Sequence, residues 1–148
     1  MNQLTFKIIW QDPDMVELEV YVGNDGFSGK TDVYTTYDSL KCLADSLIGF
    51  PKSVEEEVKF SAGEKDSYSY TGLRFYCYRK SGHTAFEAEI ESNVATEYRP
   101  EEKAKLKLEV MFEANSLDTF IKDLNHMVHT KEGTAKLGGI EKYTNNIK

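Results

Sequence analysis

Two long stretches of alternating apolar and charged residues, joined by a polar excursion, lie between positions 84 and 113 and constrain the fold more than any other feature. Their charged positions are Glu87, Glu89 and Glu91 in the first stretch and Lys103, Lys105 and Lys107 in the second. A side-chain period of two is typical of a half-buried strand, with one face on a core and the other in water. If the strands pair antiparallel, opposite charges lie side by side and help to fix the register. The sequence therefore predicts a hairpin whose charged outer face neutralises itself.

Hairpins and two helices account for the rest of the chain. Alternation predicts strands over residues 4–10, 15–22, 27–34, 58–62 and 73–79, and residues 135–137 are a candidate edge strand. Asn24-Asp25-Gly26 favours a tight turn, because these residues tolerate a positive φ. Apolar residues at helical spacing predict helices over about 38–48, capped by Asp38, and 116–128. We predict an α+β fold: a largely antiparallel, curved sheet of about six to eight strands with both helices packed on it.

Length and composition predict one domain over residues 1–148, with residues from about 140 to 148 as a flexible tail. No apolar run approaches the roughly 20 residues that cross a bilayer. The start of the chain lacks the basic and long apolar segments of a secretion signal. Cys42 and Cys77 have no metal or redox spacing and are predicted to be buried thiols. We therefore expect a cytoplasmic protein with no membrane partner.

The net charge of −7 argues against a nucleic-acid partner, which requires a basic surface, and favours a basic protein partner if the negative charge is clustered. Tyrosine is also common, with nine residues, and tyrosine is enriched at protein interfaces. The alternative interpretations are a solvated acidic surface and an aromatic core. The candidate partner-binding residues are Asp12, Asp14, Glu17, Glu19, Glu55, Glu56, Glu57, Tyr68 and Tyr70.

The three histidines and the glycines of the chain lie outside any recognisable catalytic or phosphate-binding motif. His126 and His129 lie near the end of the second predicted helix, where the partial negative charge of the helix end favours such side chains. His83 has no partner that the sequence reveals. The glycines at 23, 26 and 29 fall in a hairpin and a strand, so phosphate-binding and dinucleotide motifs are absent from the sequence. We predict no catalytic residue, no cofactor and no metal, and hence no enzymatic activity.

The order of elements resembles that of the WapI-type bacterial immunity proteins. The resemblance covers residues 4–128 and is carried by three strands, a helix, two long alternating strands and a second helix. Its residues are Leu40, Leu43, Ala44 and Leu47, then Leu73-Arg74-Phe75, and then the helix from Leu117 to Leu124. The resemblance implies a protein that binds and neutralises a cognate toxin without catalysis, and it assigns no functional residue.

Two other classes of function stay open at this stage. One is a small enzyme or ligand-binding domain with a pocket between sheet and helices, in which His83 or His126 would act. That class predicts a deep pocket that holds a histidine with a perturbed pKa. The other is an oligomerising structural domain, so a homo-oligomer is also an open expectation.

Overall fold

The computed structural model describes residues 2–95 and 99–141. One sheet contains β1 (Gln3–Gln11), β2 (Met15–Asn24), β3 (Phe27–Thr36) and β8 (Thr134–Gly138), in the order β3-β2-β1-β8. The other contains β4 (Val58–Gly63), β5 (Tyr70–Cys77), β6 (Thr84–Glu91) and β7 (Lys105–Phe112), in chain order. The helices are α1 (Tyr37–Leu47) and α2 (Leu117–Thr130), with short 3-10 turns at Pro100–Glu102 and Ala114–Ser116.

The predicted α+β class, the strand number and both helices are confirmed, but the eight strands divide between two antiparallel sheets. The division falls at α1, which takes the chain away from β3 before β4 begins. The cap of α1 is Thr36, whose hydroxyl accepts the N–H of Ser39 at 3.1 Å, so the prediction of Asp38 as the cap is wrong. Gly49 follows the helix with φ +72°, the left-handed region that glycine adopts without strain.

A single apolar core joins both sheets to α2. The ring of Phe6 on β1 lies 5.5 Å from that of Phe60 on β4 and 5.9 Å from that of Phe120 on α2. All three side chains are buried within one contiguous cluster. The outer faces of both sheets therefore remain for contact with solvent or partners.

The hairpin of β6 and β7 pairs antiparallel as predicted, but in a register that sets only two of the three glutamates opposite lysines, because Glu87 lies opposite Glu109. Glu89 lies opposite Lys107 and Glu91 opposite Lys105 in the ladder. The ion pair that forms between the strands on the outer face is diagonal, with Lys107 Nζ 3.9 Å from Glu87. Glu89 instead forms an ion pair at 3.0 Å with Lys65, which lies in the loop before β5. Glu87 and Glu89 are therefore neutralised partly by Arg74 and Lys65 from outside the hairpin, and the like-charge pair of Glu87 and Glu109 shows that charge alone does not set the register.

Glu91 and Lys103 depart from the predicted outer face, because both side chains are only 2% exposed. Lys103 Nζ lies 3.9 Å from the Glu91 carboxylate and donates to the carbonyls of Tyr68 (2.8 Å), Ser92 (2.9 Å) and Val94 (3.1 Å), as well as to that of Ser67. An ammonium has three hydrogens, so these four carbonyls share them. The cluster ties the loop 64–69 and the segment 92–95 to the start of β7.

Asn93 connects the two sheets at the edge of β3. Its Oδ1 accepts the backbone N–H of Asp32 at 2.8 Å, and its Nδ2 donates to the Asp32 carbonyl at 2.6 Å. Beside it, the Thr31 hydroxyl donates to the carbonyl of Glu91 at 2.6 Å. We call the Asn93 pair of hydrogen bonds the Asn93 clamp. The clamp occupies the edge of β3 as a neighbouring strand would, and it fixes the backbone position of Asp32.

Part of the predicted flexible tail is hydrogen-bonded to the body of the protein. The Ile140 N–H donates to the Met111 carbonyl at 2.7 Å, and the Asn2 N–H donates to the Glu141 carboxylate at 3.0 Å. The rest of that tail, residues 142–148, lies outside the described residues.

Two adjacent glycines, the last residue of β8 and the residue after it, provide a matched test of packing. A Cβ added at Gly139 would lie 2.4 Å from Cγ1 of the buried Val110 and 3.1 Å from the carbonyl oxygens of Asn2 and Met111. A Cβ at Gly138 meets nothing within 4 Å. We expect Gly139→Ala to destabilise the protein by about 1–3 kcal/mol through overpacking. Gly138→Ala should change stability by less than about 0.5 kcal/mol, and equal effects in urea unfolding would contradict the packing.

Candidate functional site

The outer face of the first sheet carries an exposed aromatic pair around a carboxylate. In the ladders Trp10 lies opposite Glu17, and Glu17 lies opposite Tyr34, so the three residues form one row across β1, β2 and β3. The rings of Trp10 and Tyr34 are 5.9 Å apart at 79°, an edge-to-face contact. We call Trp10, Met15, Glu17, Asp32 and Tyr34 the aromatic–acidic patch.

A β-bulge places Trp10 on this face. Lys7 lies opposite Glu19 and therefore points outward, and simple alternation would turn residue 9 outward and residue 10 inward. The register shifts between Ile8 and Trp10, and the extra residue is Ile9. One inserted residue reverses the alternation beyond it, so Trp10 turns to the outer face.

The patch also exposes much apolar surface. The side chain of Trp10 is 47% exposed and that of Tyr34 is 51% exposed, and Met15 is exposed as well. Of the nine exposed large hydrophobic residues in 2–95 and 99–141, four lie at this end of the first sheet: Ile9, Trp10, Met15 and Tyr34. Clustered exposure of this kind marks interaction sites, whereas single exposed residues do not.

The patch contains two carboxylates, those of Glu17 and Asp32. Within the part of the chain that the structure describes, no lysine, arginine or histidine nitrogen lies within 4 Å of Glu17 or Asp32. Asp32 lies opposite Glu19 in the ladder, and Glu19 itself pairs with Lys30 at 3.4 Å. Burial, and secondarily the negative charge of Asp32, raises the pKa of Glu17 above its usual value. The patch is thus a partly desolvated negative site between two aromatic rings.

The other predicted acidic residues of this region have separate environments. The carboxylate of Asp12 accepts the N–H groups of Asp14 (2.8 Å) and Met15 (2.7 Å), which closes the turn between β1 and β2. The hydroxyl of Tyr37 donates to the Asp12 carbonyl at 2.9 Å. Asp14 is exposed at the tip of this turn. Glu17 is therefore the predicted residue that belongs to the patch, with Asp12 and Asp14 in the turn leading into β2.

The remaining predicted residues, Glu55, Glu56, Glu57, Tyr68 and Tyr70, lie on or near the second sheet and are not part of the patch. Glu57 pairs with Arg74 at 2.9 Å and Glu56 with Lys52 at 3.6 Å, while Glu55 is exposed.

The two predicted tyrosines differ in exposure. Tyr68 is 56% exposed in the loop 64–69. Tyr70 is half-buried, and it lies over Gly72, where an added Cβ would be 2.4 Å from the tyrosine hydroxyl oxygen.

A groove of about 410 Å³ crosses the outer face of the second sheet. Its polar lining residues are Lys59, Ser61, Tyr70, Arg74, Glu87 and Glu89. Arg74 pairs with both Glu57 and Glu87, and Lys65 pairs with Glu89, so the charges around the groove balance one another. The groove is open and carries no unpaired charge cluster comparable to that of the patch.

The histidines and cysteines occupy surface positions. His83, His126 and His129 are exposed, and the Nδ1 of His83 lies 2.6 Å from the Ser81 hydroxyl within one turn. Among residues 2–95 and 99–141, no group of three or more His, Cys, Asp or Glu side chains is placed to hold a metal ion. Cys42 is exposed on α1, so its predicted burial is wrong, because it lies between the inward positions Leu40 and Leu43. Cys77 is half-buried, and burial raises the pKa of its thiol.

No protein-family model matches the chain, and comparisons with curated proteins and with solved structures also gave no match. The resemblance to the WapI-type immunity proteins accordingly stays a prediction. In the described part of the chain, neither helix combines the length and the apolar character needed to span a bilayer.

The raised pKa of Glu17 leads to a prediction about stability. Because its folded-state pKa lies above its unfolded value, the contribution of Glu17 to stability falls as the pH rises through the interval between the two. Glu17→Gln removes this loss, so we expect the midpoint of thermal unfolding at pH 7 to rise by about 1–2 °C. The gain should vanish below about pH 4.

The matched control for Glu17→Gln is Glu19→Gln, which breaks the exposed pair with Lys30 and should give no gain at pH 7. Melting curves at pH 4 and pH 7 compare the two variants. A lower midpoint for Glu17→Gln at pH 7 would contradict this prediction, because it would show that the ionised carboxylate stabilises the folded protein.

Proposed function

We propose that the chain is a non-catalytic binding protein whose aromatic–acidic patch takes up a basic surface of a protein partner. The observation that supports the proposal is a pair of carboxylates, Glu17 and Asp32, that form no ion pair among the described residues and lie beside the exposed rings of Trp10 and Tyr34. A carboxylate with a raised pKa gains most from a cation brought next to it. Aromatic rings with large exposed area supply the apolar contact that binding hot spots use.

Charge complementarity identifies the class of partner. The chain carries a net charge of −7, so its long-range field attracts a basic protein and speeds the encounter. The same field disfavours pairing of two identical patches, since that would bring Glu17 and Asp32 of one copy against those of the other. The patch therefore favours a different, basic partner over self-association.

Neutralisation of a basic toxin is the form of binding that we propose, in a bacterial cytoplasm. It agrees with the resemblance in element order to the WapI-type immunity proteins and with a surface suited to tight binding. Such a protein acts by covering the functional surface of its partner, so it needs a complementary face and no catalytic group. The patch offers such a face on the outer side of the first sheet.

Co-expression with the product of the adjacent open reading frame tests this proposal. We expect a stable complex on size-exclusion chromatography and rescue of growth when that product is toxic. Glu17→Lys should abolish both, whereas Glu132→Lys, a charge reversal at an exposed position in the turn before β8, should preserve both. Absence of a complex together with absence of rescue would refute toxin neutralisation.

A further inference from the structure

The patch has the geometry of a receptor for one particular side chain. We infer that it binds an arginine of the partner, with the guanidinium stacked on the Trp10–Tyr34 pair and its N–H groups directed to Glu17 and Asp32. This inference rests on the proposed function, because it names the partner group that the same site would take.

The second sheet of this protein holds an arginine in a comparable setting. The guanidinium of Arg74 lies 4.0 Å from the ring centre of Tyr76. Its Nη1 is 2.9 Å from the carboxylate of Glu57, and its Nε is 3.8 Å from that of Glu87. An outer sheet face with an aromatic ring and two carboxylates thus holds an arginine within this chain. The patch presents rings and two carboxylates on an outer sheet face with no cation beside them in the described structure.

Arginine fits the patch better than lysine for two reasons. A guanidinium is planar, so it can stack on an aromatic ring while its edge donates to a carboxylate. It is also more weakly hydrated than an ammonium, so it loses less when it enters a partly desolvated site such as that around Glu17. A lysine ammonium offers a point charge without the stacking plane. The rings therefore distinguish the two cations, whereas an acidic surface alone would not.

Trp10 is the only tryptophan of the chain, so its fluorescence reports directly on this site. The probes are three capped nonapeptides of glycine and serine that carry two arginines, two lysines or two citrullines. We expect the arginine peptide to change the tryptophan emission and to bind about tenfold more tightly than the lysine peptide. Citrulline has the same shape without the charge, and its peptide should bind at least tenfold more weakly than the arginine peptide.

Variants locate the binding and separate it from general attraction. Glu17→Gln and Asp32→Asn should each lower the affinity for the arginine peptide about tenfold. Glu132→Gln should leave that affinity unchanged. Tyr34→Leu should reduce the preference for arginine over lysine, because it removes a stacking ring while keeping both carboxylates.

The possible results separate this inference from the proposed function. Three results would each overturn the inference that the patch binds an arginine. They are equal affinity for the arginine and lysine peptides, binding that survives Glu17→Gln, and no response to the arginine peptide. Complex formation and growth rescue with the adjacent gene product would then still support the proposed function. Loss of the complex and of rescue, with the arginine preference intact, would overturn toxin neutralisation alone.

Discussion

Lys103→Ala is expected to destabilise the protein by about 3–5 kcal/mol, the range for removing one partner of a buried ion pair. The Lys103 and Glu91 side chains are each only 2% exposed. The substitution leaves the Glu91 carboxylate buried beside the carbonyls of Tyr68, Ser92 and Val94, which lose their common donor. The cost comes mainly from the Glu91 carboxylate, which is then buried without its cation. Equilibrium unfolding in urea measures the change.

The control is Lys105→Ala, two residues further along β7. Lys105 forms an exposed ion pair with Asp66, so its loss should cost less than about 1 kcal/mol. The double variant Lys103→Ala with Glu91→Gln should recover part of the loss, because it removes the uncompensated buried charge. Similar costs for Lys103→Ala and Lys105→Ala would contradict the burial of Lys103.

Trp10→Ala is expected to weaken the complex with the basic partner by at least about 30-fold, as expected for a central aromatic anchor whose loss costs 2 kcal/mol or more. The effect on the stability of the free protein should be small, because the ring is 47% exposed. Isothermal titration calorimetry measures the affinity, since the substitution removes the fluorescent probe.

Tyr68→Ala provides the matched control for Trp10→Ala. Tyr68 is a similarly exposed aromatic residue that lies outside the patch, in the loop before β5. Its substitution should leave the affinity unchanged. If Tyr68→Ala weakens the complex and Trp10→Ala does not, the partner binds the second sheet and the patch is not the interface.

Much of the fold follows from local periodicity. The alternation between residues 84 and 113 predicts two antiparallel strands, but the ladder sets Glu87 opposite Glu109, so the charge rows alone do not give the register. The helices follow from apolar spacing, with boundaries within about two residues. The arrangement of the strands in two sheets does not follow, because alternation shows which face of a strand is buried and not which other strand pairs with it.

The burial of Glu91 and Lys103 could not be predicted from alternation. Both residues have the parity of exposed positions. They are buried because the loop 64–69 and the segment 92–95 close over the end of the strands, and Asp66 donates its N–H to the Glu91 carboxylate at 2.9 Å. Such closure depends on contacts between segments distant in the chain, which carry no periodic signal.

The candidate site was predictable in part. Acidic clustering identified Glu17, but it also selected Glu56 and Glu57, which the structure shows in ion pairs. The ring of Trp10 was missed because a single-residue bulge turns it outward. Asp32 was missed because it becomes adjacent only when β3 pairs with β2. A search for aromatic residues in strands flanking an outward glutamate would have found Tyr34, whereas Trp10 required knowledge of the bulge.

The Asn93 clamp has a consequence for the rate at which a partner associates. Because the clamp fixes the Asp32 backbone from the opposite sheet and the other patch residues lie on or at the end of paired strands, the binding face is already ordered before the partner arrives. Little conformational entropy is then lost on docking, and the encounter is close to that of two rigid bodies. The association rate constant should accordingly depend on ionic strength, through screening of the carboxylates, more than on any rearrangement of the chain.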